Sequence, residues 1–172
     1  MWLATLLAIM LVGPAVQGAG QSPLAPALAR FRFLVGEWEA IGGAGEGAGR
    51  ATFAVGLQGR AITRTSYAEY PASGERPAYR HDDLMIIYAD ADTAKADYYD
   101  NEGHVIRYVV TSPRAGQAVF VSTGSPTAPR YRLTYIMSSD STQRGTFEIA
   151  PPGSPDAYTT YLAWTSRKVA SR

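Results

Sequence analysis

Cysteine is absent from the 172 residues, which excludes thiol nucleophiles, thiolate metal sites, disulfide staples and a lipid anchor on a processed cysteine. Histidine occurs only twice, as His81 and His104. Charge of one sign is also lacking: the formal net charge is +1 and the basic residues are dispersed. The chain therefore has no electrostatic footprint for nucleic acid or for an anionic membrane surface. Helical periodicity is missing after Val35, and long apolar runs occur once. That run, Trp2 to Val12, stops at Gly13-Pro14 and is too short to span a bilayer. With Val16 and Gly18 at the minus-three and minus-one positions, it reads as a signal peptide over residues 1–18, although no Lys or Arg precedes it. An uncleaved anchor is the alternative. The expected location is secreted or periplasmic, with no membrane contact beyond the leader.

What the chain does contain is turn and strand material. Seventeen glycines, eleven prolines and eleven tyrosines in a chain that is 46% hydrophobic describe many short strands around one core. At this length a single domain buries roughly 70% of the surface its unfolded chain exposes, so no second domain is needed. Residues 19–27 read as a linker and 28–170 as the folded domain. Leu28, Phe31 and Val35 recur at helical spacing, and Gly36 ends that short helix. Gly36-Glu37-Trp38 then opens the first strand, with the Trp38 ring suited to closing a barrel end while its N–H finds one acceptor. The glycine-rich stretch 42–49 lacks a Gly-Lys-Ser/Thr ending and a following helix, so it reads as a hairpin connection and not a phosphate cradle.

Two hairpins carry enough turn chemistry to set a register. Gln58-Gly59 as a two-residue turn places Val55 opposite Ile62 and Phe53 opposite Arg64, which sends the Arg64 guanidinium inward with the apolar residues. Its alternatives are a rim position or a register one residue off. Asn101-Glu102-Gly103 places Asp100 opposite His104, Tyr98 opposite Ile106 and Asp97 opposite Arg107, and puts Tyr98, Ile106, Tyr108 and Val110 inside. Further strands follow between Pro-, Ser- and Gly-rich turns. The expected fold is all-β: an up-and-down antiparallel barrel of about ten strands with a short N-terminal helix.

The short helix, Gly36-Glu37-Trp38 on the first strand and a meander ending in Trp164-Thr165-Ser166-Arg167 resemble the calycins, the superfamily of lipocalins and fatty-acid-binding proteins. More narrowly, Phe33 to Trp38, Leu57 to Ile62, Tyr99 to His104 and Phe147 to Pro152 are similar to a bacterial lipocalin-like family of unknown function. The resemblance covers about residues 30–168. It implies a barrel fold and a packing partner for Trp38 in Arg167, and is almost silent on activity. The second lipocalin signature is not evident in this chain.

Catalytic motifs are few. No Gly-x-Ser-x-Gly elbow is present. His81, Asp83, Asp90 and Asp92 match neither zinc nor calcium spacing and read as turn and strand-end residues. The haem-binding nitrobindins, similar in architecture, use a late histidine, but no histidine follows His104 here, which leaves Tyr135 as the alternative ligand. No cofactor is expected. His104 reads as an exposed partner of Asp100. The inward candidates for a ligand site are Arg64, Tyr88, Tyr98, Tyr108, Tyr135 and Trp164, whose convergence suits a small amphipathic molecule with an acidic head and an apolar body. The expected function is ligand binding without chemistry. Two alternatives are acid–base work by Arg64 with an inward carboxylate, for which Glu148 is the best guess, and a solid-cored structural module.

Overall fold

The structure is a computed structural model and describes residues 23–41 and 48–170. The leader, the start of the linker and most of the first hairpin connection lie outside those residues. Ten antiparallel strands form a closed barrel in which each strand pairs with its sequence neighbour and the first pairs with the last. They are β1 (Gly36–Ile41), β2 (Ala48–Gly56), β3 (Ala61–Tyr70), β4 (Tyr79–Asp90), β5 (Thr93–Asp100), β6 (Val105–Thr111), β7 (Gln117–Ser122), β8 (Arg130–Ser139), β9 (Thr142–Ala150) and β10 (Thr159–Lys168). Among the described residues the closing ladder joins Trp38–Ile41 of β1 to Thr165–Lys168 of β10.

The helix before β1 differs from the one expected. It is a 3-10 helix over Pro26–Leu34, and it buries Leu28, Phe31 and Leu34. A repeat of three residues per turn aligns those three side chains on one face, whereas Val35 lies beyond the helix as its half-buried C-cap. This cap covers the barrel end where β1 begins. Trp38 joins the two: it is 1% exposed, and its indole Nε1–H donates to the Leu34 carbonyl at 2.7 Å. The tryptophan thereby satisfies a carbonyl that the helix end leaves free.

The resemblance placed Arg167 against Trp38, and here the structure differs. Trp38 is paired with Lys168, while Arg167 is paired with Glu39. Successive residues of a strand face opposite sides, so Arg167 points outward toward Glu39, 3.9 Å away. The ammonium over the Trp38 ring belongs to Lys168, 5.3 Å from its centroid. Gly36 has φ +131°, and a Cβ there would sit 2.6 Å from Lys168 Cε.

The turn between β2 and β3 is left-handed at Leu57 (φ +49°), Gln58 (φ +54°) and Gly59 (φ +88°), and Arg60 N–H closes it on the Leu57 carbonyl at 3.1 Å. Positive φ at both central residues gives the twist that two-residue hairpins need. Gly59 also receives the linker: its carbonyl accepts from Ala25 N–H at 2.9 Å, and an added Cβ would lie 1.9 Å from the Pro23 carbonyl oxygen. Gly59→Ala is therefore expected to destabilise by about 1–3 kcal/mol and to release the segment 23–25. Limited proteolysis should show new cleavage there before the barrel unfolds.

Candidate functional site

The hairpin registers set which side chains enter the barrel. Phe53 pairs with Arg64 and Val55 with Ile62, and Tyr98 pairs with Ile106 and Asp97 with Arg107. Arg64 points inward and is 5% exposed. Its partner is Asp83. Arg64 Nε and Nη2 donate to Asp83 Oδ1 at 3.1 and 2.5 Å, Nη1 donates to the Tyr135 hydroxyl at 2.5 Å, and Ser66 Oγ donates to Asp83 Oδ2 at 2.5 Å. A buried guanidinium is tolerable only with such pairing. Burial opposes its charge, yet Tyr135 and Asp83 hold it protonated, above its already high range.

Tyr135 is the hub of the interior. Its ring is edge-on to Phe53 at 5.7 Å, Phe120 at 6.1 Å and Trp164 at 5.9 Å. Tyr108 packs edge-on against Phe120 at 6.0 Å. Burial pushes the Tyr135, Tyr108 and Tyr98 phenols well above their ordinary range, so each stays neutral; Tyr98 donates to Asp100 at 3.2 Å. Trp164 lies flat over Gly145, where a Cβ would come within 2.2 Å of the indole. That glycine exists to seat the ring.

The interior is uneven along its axis. In the half nearest the cap the inward residues Phe53, Ile62, Met85, Ile87, Ala96 and Phe120 are buried. In the other half the inward residues Tyr98, Ile106, Tyr131, Phe147 and Trp164 are only half-buried. Arg64, Asp83 and Tyr135 sit at the boundary. A cleft of about 430 Å³ beside Ile106 and Tyr131, lined also by Ser122, Gly124 and Pro129, opens between β6 and the β7–β8 loop.

A hydrogen-bonded cluster borders the mouth. His81 Nδ1 lies 2.9 Å from Glu102 Oε1 and Nε2 lies 3.0 Å from the Tyr98 hydroxyl. Tyr79 donates to Glu102, and desolvation together with that carboxylate pushes the Tyr79 phenol up to about 12. Asp100 accepts from the backbone N–H groups of Glu102 and His104 at 3.0 and 2.8 Å and lies 2.9 Å from His104 Nδ1. Burial works against its charge, but the hydrogen bonds from His104 hold it below the usual carboxylate range. Among the described residues no group of three or more His, Asp or Glu side chains is placed to hold a metal ion.

Two sequence expectations are corrected by strand parity. Tyr88 faces outward: it pairs with Ala61 and Lys95, while its neighbours Ile87 and Ala89 turn in. Glu148 is also outside, forked onto Arg132 with Nε–Oε2 and Nη2–Oε1 at 2.7 Å each. The interior carboxylates are Asp83 and its cross-strand partner Asp100; Asp83 is the one bonded to Arg64. Sequence reasoning missed Asp83, Ser66 and His81 in this role. Their signal was the Tyr70–Tyr79 end of the β3–β4 ladder, from which Ser66 opposite Asp83 follows.

The Arg132 fork holds the Glu148 carboxyl below its usual range. Its stabilisation is present above the unfolded carboxyl pKa and lost as pH falls through the lower folded value. Glu148→Gln should cost roughly 0.5–1 kcal/mol at neutral pH, as for a partly screened pair. The difference from wild type in urea melts should vanish in acid, and binding of any guest should be unchanged.

The closed ten-stranded antiparallel barrel is compatible with a calycin-like fold, while no protein-family model and no curated protein matches the chain.

Proposed function

We propose that this is an exported, lipocalin-like barrel that holds a small, partly apolar molecule in its mouth half and does not transform it. One observation carries the reading: inward-facing side chains are buried near the cap and half-exposed toward the mouth. Tyr98, Trp164, Tyr131 and Phe147 supply aromatic walls, Tyr108 packs behind them, and Arg64 with Tyr135 supplies the floor. Concave sites with apolar walls and a few fixed polar groups are the usual form of small-molecule pockets.

The binding reading is preferred over acid–base chemistry because both Asp83 oxygens and three of the Arg64 N–H groups are already engaged with each other, Ser66 and Tyr135. The same pairing argues against an acidic ligand head, since Arg64 already carries its counter-charge. Native mass spectrometry of protein purified from its own host tests the reading. A retained organic mass of one molecule per chain is expected. Protein that carries no such mass and binds no apolar probe saturably would overturn it.

A further inference from the structure

The apolar run Leu84 to Tyr88 supplies more apolar surface than the barrel interior takes up. Met85 and Ile87 turn inward and are fully buried. Leu84, Ile86 and Tyr88 therefore face outward, because successive strand residues point to opposite sides. The neighbouring strands extend that outer face. Leu84 pairs with Tyr99 on β5, and Tyr99 pairs with Val105 on β6; these three side chains are 38%, 40% and 60% exposed. Four residues nearer the cap along each strand, Tyr88, Lys95 and Val109 form a second row, which Val121 continues on β7. On the other strands the outward positions carry mostly Thr, Arg and Glu, as at Arg132 and Thr134 on β8 or Arg144 and Thr146 on β9. A contiguous apolar patch on an otherwise polar exterior marks a contact surface.

Between the two apolar rows lie Asp97 and Arg107, directly opposite each other on β5 and β6. Neither forms an ion pair among the described residues, whereas the nearby Lys95 is held by Asp90. One acid and one base side by side at the centre of an apolar face make that face complementary to itself. A two-fold axis in the plane of contact, running along the seam between β5 and β6, sets Asp97 against Arg107 of a second copy and Arg107 against its Asp97. The same operation sets Tyr99 against Val105 of the second copy, and Val105 against its Tyr99. An isologous contact requires this reciprocity.

We propose that the outer face of β4–β7 is the contact surface of a symmetric dimer, with a second copy of this chain as its occupant and the β5–β6 seam at its centre. A lipid bilayer suits the face less, since hydrocarbon would strand the charges of Asp97 and Arg107 that a second copy pairs. The outside of a closed barrel is convex, so two copies meet along a seam and bury an area at the small end of specific interfaces. The dimer is therefore a weak one, forming at about 10–500 µM. The contact lies outside the lumen and does not depend on the ligand reading.

Sedimentation velocity of the purified protein from about 5 µM to about 1 mM tests the proposal. Wild type should pass from monomer to dimer across that range. Asp97→Arg and Arg107→Asp, each alone, should weaken association at least about tenfold, because each sets like charges together twice across the axis. An equimolar mixture of the two variants should recover the dimer as a heterodimer, in which both charge contacts are again opposite in sign. Val105→Asp should also disperse the dimer, since so short a charged side chain cannot reach water from the seam. Wild type that stays monomeric to about 1 mM would overturn the proposal, and its flotation with neutral phosphatidylcholine vesicles would then assign the face to a membrane. A dimer indifferent to both charge reversals and to Val105→Asp would place the contact elsewhere on the molecule. A mixture no more associated than either variant alone would refute the reciprocal pairing.

Discussion

Asp83→Ala is expected to cost about 3–5 kcal/mol of folding stability, the penalty for leaving one member of a buried ion pair without its partner. Asp83 and Arg64 have side chains only 8% and 6% exposed, so water cannot replace the lost carboxylate without entering the floor. Ser66 also loses its acceptor, and the Arg64 guanidinium is left with the Tyr135 hydroxyl as its one remaining hydrogen-bond partner. The double substitution Arg64→Met/Asp83→Leu should recover most of that loss, since apolar groups of similar volume replace such pairs at little net cost. Urea melts of wild type, both single variants and the double variant give the coupling directly. An Asp83→Ala loss below about 1 kcal/mol, the level of an exposed pair, would mean that water already reaches the pair.

Trp38→Ala is the second large effect, again about 3–5 kcal/mol, from the transfer energy of the indole and the cavity it leaves. The side chain is fully buried and lies beneath the cap residues Leu28, Phe31 and Leu34 in one apolar cluster. Its removal also frees the Leu34 carbonyl. Trp38→Phe keeps an aromatic ring and loses the donor, so its cost should be smaller, about 1–3 kcal/mol for the stranded carbonyl. If Trp38→Ala were nearly neutral, the cap would not be held by the indole and the closed end would need another explanation.

The parts of the fold legible in the sequence were those tied to short turns. Gln58-Gly59 and Asn101 to Gly103 leave little freedom in register, so Arg64, Tyr98 and Ile106 were placed inside by counting outward from each turn. Where a longer connection intervenes, counting fails. The segment 71–78 separates β3 from β4, and Leu84 to Tyr88 is apolar at every position, so alternation gives no face and does not distinguish the outward Tyr88 from the inward Ile87. Asp83 was hidden for the same reason, as a carboxylate at a strand end looks like turn chemistry until the ladder is known. Arg167 and Glu148 each missed by strand parity: the residue that faces in lies one position away, at Lys168 beside Trp38 and at Phe147 beside Leu133. The cap helix shows a subtler limit. Leu28 and Phe31 fit both a 3.6-residue and a 3.0-residue repeat, and only the third apolar residue, Leu34 in place of Val35, tells them apart.

The proposed site requires inward side chains that are buried beneath the cap and half-exposed toward the mouth, and the two tryptophans of the folded domain, Trp38 and Trp164, sample those ends separately. Acrylamide quenching in a Trp2→Phe background, with Trp164→Phe and Trp38→Phe isolating each indole in turn, reads them directly. Quenching of Trp164 should be several-fold more efficient than that of Trp38, whose ring is 1% exposed. Two indoles quenched alike, whether both shielded or both accessible, would contradict the gradient on which the ligand site depends.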